Sequence, residues 1–262
     1  MGCQKSTYYY WRDDRKDRSL KEALQEKAYR YPRWGYRNLL ELLRREGWKD
    51  NHKRVYRVYA AAGLQVGTRK RRPKTKYRGE KLEEPKKRNE LWVMDFMQDQ
   101  LVNGRKIRLL TVMDAHTREC LAIEVDTSIS GERVCRVLDR IKGLRGLPER
   151  IGTDNGPEFR GMRLDQWAYK NKVKLQFIPP GQPTKNAYIE SFNAIVRDDC
   201  LNQHWFLNLE DARNKIESWR LDYNEARPHS IIGNVTPAAF AAQHVPSVPA
   251  TPVHQGCTWN HG

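Results

Sequence analysis

The sequence predicts an α/β protein, a mixed sheet flanked by helices and preceded by a small all-helical module. Three observations predict it. Apolar residues recur at helical spacing through residues 17–64, three strand-like runs follow between 90 and 125, and helical and strand-like stretches alternate from 131 onward. Charge divides near the same boundary. Residues 1–90 carry 27 Lys and Arg against 12 Asp and Glu, whereas residues 91–262 carry 21 against 20. Nearly all of the net charge of +16 therefore lies in the first third, as expected of a chain that recruits a polyanion.

A chain of 262 residues has room for one sizeable domain and a smaller one. The expected divisions are a helical module over 1–66, a basic linker over 67–89, an α/β core with its C-terminal helix over 90–243, and a flexible tail over 244–262. No apolar run approaches the roughly 20 residues of a membrane span. The five cysteines are scattered without a CxxC pair, which suits free thiols in a reducing cytoplasm.

In order along the chain, Leu20, Ala23, Leu24 and Ala28 define a first helical face. Leu39, Leu40, Leu42 and Leu43 define a second, and Val55, Val58, Tyr59 and Ala62 a third that closes at Gly63. The third helix opens with His52-Lys53-Arg54-Val55-Tyr56-Arg57, whose Arg54 and Arg57 are candidate phosphate contacts. Seven of the ten residues from Arg69 to Arg78 are basic, so Arg69, Lys70, Arg71 and Arg72 are candidates to lie along a nucleic-acid backbone. The core opens at Glu90 to Phe96, continues with Arg105 to Met113 after an Asn103-Gly104 turn, and then with Cys120 to Val125. A helix over Gly131 to Lys142, a short strand up to Thr153, a helix around Trp167, a strand from Val173 to Ile178 and a helix from Asn186 complete a β-β-β-α-β-α-β-α order. Leu209 to Tyr223 reads as a further amphipathic helix.

Three carboxylates stand out in this frame. Asp154 follows the fourth strand at an Asp-Asn-Gly turn, and Glu190 starts a helix with Asn186 and Asn193 on the same face. Between Asp154 and Glu190 lie 35 residues. Asp95 interrupts the apolar run Trp92 to Met97, where a charge is costly unless something pairs with it. Carboxylates that converge repel one another, and a hard cation such as Mg2+ relieves them. Asp99 and Asp114 are alternative sources for the third carboxylate.

The segments TDNGPEF and GQPTKNAYIESFNAIVRDDCL resemble the integrase core shared by retroviral integrases and bacterial insertion-sequence transposases. The resemblance is nearest to the catalytic, downstream-frame product (OrfB) of transposases encoded in two overlapping frames. It spans most of residues 7–240, with a GYR signature at Gly35-Tyr36-Arg37 and a YN…RPH signature at Tyr223-Asn224 and Arg227-Pro228-His229. Met97 stands where many relatives carry Thr. The resemblance implies a ribonuclease-H-like integrase core behind a helix-turn-helix-like module. It also implies an Asp, Asp, Glu triad of Asp95, Asp154 and Glu190, and a phosphate contact at Arg197, seven residues after the Glu. Lys185 falls within the same motif as a further DNA contact. The implied cofactor is Mg2+, with Mn2+ as a substitute, in two ions about 3.5–4 Å apart. Water would cut the element's end to expose a 3′-OH, which would then attack a second phosphodiester. The implied partners are double-stranded DNA as terminal inverted repeats and target, the upstream-frame product or a fusion with it, and further copies of the chain at synapsis. The place of action would be the bacterial cytoplasm, at the nucleoid. Ser6 to Tyr10 reads as the end of a helical segment that begins upstream. Two other functions are compatible with the fold: a DNA-binding relic without catalysis, and a hydrolase of RNA–DNA hybrids.

Overall fold

The computed structural model describes residues 14–67, 84–154, 156, 159, 161–177 and 187–244. Arg69, Lys70, Arg71, Arg72, Asn155, Lys185, Asn186 and the tail from 245 lie outside the described residues.

Helices α1 (Asp14–Arg30), α2 (Tyr36–Arg45) and α3 (His52–Ala61) form the N-terminal module. Each contributes the apolar stripe that its spacing requires: Leu20 and Leu24, then Leu39, Leu40 and Leu43, then Val55, Val58 and Tyr59, closed by Trp34 from the α1–α2 turn. Asn51 caps α3 by accepting the Lys53 backbone N–H at 2.9 Å. Gly63 leaves the helix at φ +70°, a conformation open to glycine at little cost.

The core is a five-stranded sheet in the order β3-β2-β1-β4-β5. Strands β1 (Leu91–Gln100), β2 (Lys106–Asp114) and β3 (Cys120–Asp126) run antiparallel, and β4 (Arg150–Thr153) and β5 (Lys174–Phe177) continue from β1 in parallel. Strand β1 runs four residues past Phe96 because its ladder with β2 holds to the pair Gln100 and Lys106. Alternation along β1 sorts its side chains between two layers. Leu91, Val93 and Met97 face α6 (Ala187–Asp199) and α7 (Leu209–Glu225), packing with Ile189, Phe192, Val196 and Ile216. Trp92 and Met94 face α4 (Gly131–Arg145) and α5 (Met162–Asn171), packing with Val134, Leu138, Leu164 and Trp167. A short helix α8 (Pro237–Gln243) extends the fold beyond the elements read from the sequence. Thr236 caps it by accepting the Ala239 N–H, with Pro237 in the first turn, so a Thr-Pro start signal was present.

The edge strand β3 is closed by side chains of α7. Arg213 Nε donates to the Val125 carbonyl at 2.9 Å, and Arg220 Nη1 to the Cys120 carbonyl at 3.0 Å. Asn224 accepts the Cys120 N–H at 2.8 Å and donates to the same carbonyl at 2.9 Å. Three backbone groups of this edge, the Cys120 N–H and the Cys120 and Val125 carbonyls, are thereby occupied. The end of the same helix and the segment that follows it hold the N-terminal module. Tyr31 Oη donates to Asp222 at 3.1 Å, Arg45 donates to the carbonyls of Ala226 and Asn234, and Arg227 lies over the Trp34 ring while pairing with Asp199. Among the described residues no helix is long and apolar enough to cross a membrane.

Candidate active site

The parallel register of β1 and β4 pairs Leu91 with Arg150, Trp92 with Ile151 and Val93 with Gly152. Continued two places, it sets Asp154 beside Asp95. The fit is close at this seam, since a Cβ on Gly152 would meet Val93 Cγ1 at 3.3 Å. Asp95 belongs to the odd-numbered face of β1, so it points to α6. There Asn193, 9% exposed, donates Nδ2 to Asp95 Oδ2 at 2.9 Å. Glu190 lies one turn earlier on the same helix. Thr111, opposite Asp95 in the β1–β2 ladder and fully buried, donates its hydroxyl to Asn193 Oδ1 at 2.9 Å. The other Asp95 oxygen accepts the Phe96 backbone N–H at 2.7 Å.

Asp154 Oδ1 accepts the Gly156 N–H at 2.9 Å, the Asx turn that the Asp-Asn-Gly sequence favours. The loop is anchored below the sheet by Phe159, fully buried and stacked on Phe96 with ring centroids 4.9 Å apart. Burial pushes Asp95 up to about 6, and Asp154 and Glu190 push in the same direction against the two hydrogen bonds from Phe96 and Asn193. Negative charge is therefore concentrated here beyond what the protein itself neutralises.

The two alternative carboxylates have other work. Asp114, fully buried, accepts N–H groups from Asn89, His116 and Thr117 at 2.9–3.0 Å and pairs with Arg145, a buried structural lock. Asp99 accepts Arg197 Nη1 at 3.1 Å, while Arg197 Nη2 donates to the Gln98 carbonyl at 2.6 Å. In the N-terminal module, Arg54 is held by Asp17 at 3.0 Å and Asp50 at 2.6 Å, and Arg57 by Asp17 at 2.9 Å. His52, Lys53 and Tyr56 form the exposed face of α3, with Tyr56 edge-on to Tyr36 at 4.9 Å. Sequence reasoning gave no role to Thr111, Phe159 or the Asp99–Arg197 pair. The only signal for the last was an acid and a base each four residues beyond Asp95 and Asn193.

Among the described residues no three His, Cys, Asp or Glu side chains are already drawn to metal-ligating spacing. By chemistry the donor set of Asp95, Asp154 and Glu190 is oxygen only, the kind a hard divalent cation takes, and the raised Asp95 shows the charge such a cation would offset.

A helical module ahead of a five-stranded mixed sheet, with one carboxylate midway along β1, one just past the end of β4 and one on the neighbouring helix, defines a ribonuclease-H-like integrase core. Family comparison agrees. Models described as Integrase core domain match residues 85–183 and 171–237, and one described as HTH-like domain matches residues 12–72. The chain is 48% identical over 245 residues to the insertion element IS407 uncharacterized 31.7 kDa protein of Burkholderia multivorans, covering 93% of this chain and 88% of that one. It is 26% identical over 226 residues to the putative transposase InsK for insertion sequence element IS150 of Escherichia coli, covering 80% and 78%. Among solved structures, the simian T-cell lymphotropic virus intasome in complex with PP2A regulatory subunit B56 gamma shares the fold, with TM-score 0.57 and 15% identity over 91% of this chain and 80% of that one. The chain belongs to the family of insertion-element transposases, with an HTH-like domain and an integrase core.

Proposed function

We propose that this chain is a DDE-type polynucleotidyl transferase that cuts and joins DNA strands in transposition, with Asp95, Asp154 and Glu190 as its catalytic carboxylates. The observation that carries the reading is Asp95 raised by burial and by the charges of both Asp154 and Glu190, on a strand that runs parallel beside β4. These three residues would hold Mg2+, or Mn2+ in its place, which when bound activates a nucleophile and stabilises a leaving oxygen. The chain's own contribution is orientation. Asn193 and the Phe96 N–H fix the two oxygens of Asp95, Thr111 fixes Asn193, and the Asx turn with Phe159 fixes Asp154. Bound positive charge would lower Asp95 from its raised value and so favour the carboxylate form that Asn193 and the Phe96 N–H orient. Cleavage makes a P–O bond to water and breaks one at the element's end. Joining makes a P–O bond to the freed 3′-OH and breaks one in the target, with no covalent link to protein.

Substrate recruitment falls to the basic first third. The exposed face of α3 reads the terminal inverted repeats, and the segment containing Arg69 to Arg72 follows the backbone. Assembly of several copies on paired ends, and cooperation with the upstream-frame product, complete the proposal. The test is strand transfer in Mg2+ or Mn2+ on DNA bearing the flanking repeats, for wild type and Glu190→Gln, fused to the upstream frame where one exists. Joined products from wild type alone are expected. Wild type that binds the ends without cutting or joining them would leave a DNA-binding relic as the better account.

A further inference from the structure

Asp99 is the penultimate residue of β1, four residues after Asp95 and on the same face of the strand. On α6, Arg197 follows Asn193 by four residues, again on one face. The two pairs are matched: Asn193 meets Asp95 at 2.9 Å, and Arg197 meets Asp99 at 3.1 Å and the Gln98 carbonyl at 2.6 Å. Ile189, Phe192 and Val196 bury the helix against the sheet, but apolar contact is non-directional and leaves sliding along the strand weakly resisted. The polar pairs are directional and resist it. The Arg197 and Asp99 side chains are 33% and 19% exposed, so their pair is partly withdrawn from solvent competition. Glu190, exposed in the first turn of α6, takes its position from that helix.

We infer that Asp99 is a positioning residue: through Arg197 it sets the axial register of α6 against β1 and thereby brings Glu190 to Asp95 and Asp154. The inference rests on the reading of those three carboxylates as a metal-holding site. It gives Arg197 a structural task in place of the phosphate contact that its distance from Glu190 suggests, with one N–H on each terminal nitrogen of its guanidinium donated to β1.

The test uses the full chain as wild type, Asp99→Asn, Arg197→Met, the exchanged pair Asp99→Arg with Arg197→Asp, and Glu190→Gln. Mn2+ affinity is read by electron paramagnetic resonance of the free ion. DNA affinity is read by fluorescence anisotropy in EDTA over a range of salt, and folding by far-UV circular dichroism. Asp99→Asn and Arg197→Met should each weaken Mn2+ binding by about tenfold, the lower end of what residues supporting metal ligands cost. Their DNA affinity and salt slope should stay within about twofold of wild type, and the exchanged pair should recover most of the Mn2+ loss. Arg197→Met with wild-type Mn2+ affinity and a salt slope lowered by about one would mark a phosphate contact and overturn the inference. Asp99→Asn with unchanged Mn2+ binding, beside a weakened Glu190→Gln, overturns it alone. Glu190→Gln that binds Mn2+ as wild type does removes the carboxylate reading and the inference with it. If Arg197→Met does not fold, Asp99→Asn and the exchanged pair decide.

Discussion

Replacing Asp95 by Asn should make the metal-free protein more stable at neutral pH while removing its chemistry. Asp95 titrates at about 6 in the folded chain against 3.8 ordinarily, through burial first and the fields of Asp154 and Glu190 next. A carboxyl with a raised value holds its proton more tightly in the folded state than in the unfolded one. Its stabilising contribution is complete below about pH 4 and is lost as pH rises through about 6. That difference corresponds to about 3 kcal/mol, reduced to about 2 kcal/mol because Asp95 retains some solvent contact. Urea unfolding in EDTA at pH 4 and pH 7.5 reads it directly. Wild type and Asp95→Asn should coincide within error in the more acidic buffer, and the variant should be more stable by about 2 kcal/mol in the other. Added Mn2+ should then raise wild type and leave the variant nearly unmoved. Parallel behaviour of the two proteins at both pH values would refute the argument that Asp95 carries uncompensated charge.

Two further outcomes follow from side chains already placed. Lys53→Ala should weaken DNA binding and lower its salt slope by about one without changing the melting temperature, whereas Arg54→Ala, which frees Asp50 and leaves Asp17 to Arg57 alone, should cost about 1 kcal/mol of stability; anisotropy and thermal unfolding separate them. Asn224→Ala should lower the free energy of urea unfolding by roughly 2–3 kcal/mol, because the buried Cys120 N–H loses its acceptor while Arg220 still reaches the carbonyl.

Much of the architecture is legible in the chain because it is written in local periods. The 3.6-residue stripes of α1 to α3 and the runs of β1 to β3 sit where their spacing puts them. The influence of Asp154 on Asp95 is nearly legible too, since β1 and β4 run as parallel neighbours. What local period does not carry is partnership at a distance. Asn193 and Asp95 are separated by 98 positions, as are Arg197 and Asp99, and a guanidinium seven residues after Glu190 looks the same in sequence whether it faces phosphate or Asp99. The same holds for Arg54 and Arg57, whose basic character suggests DNA while Asp17, on another helix, engages them both. The Tyr223-Asn224 signature likewise resolves into a task only when β3 is beside it, with Asn224 on Cys120 and Tyr223 Oη on the Arg118 carbonyl.

The closed edge of β3 bears on how copies of this protein can gather. Arg213, Arg220 and Asn224 act as stoppers in the places where a neighbouring backbone would have to bond. A second sheet approaching this edge finds the ladder positions at Cys120 and Val125 already taken, so pairing along the length of β3 is disfavoured. An edge obstructed in this way works against open-ended, strand-by-strand pairing between copies.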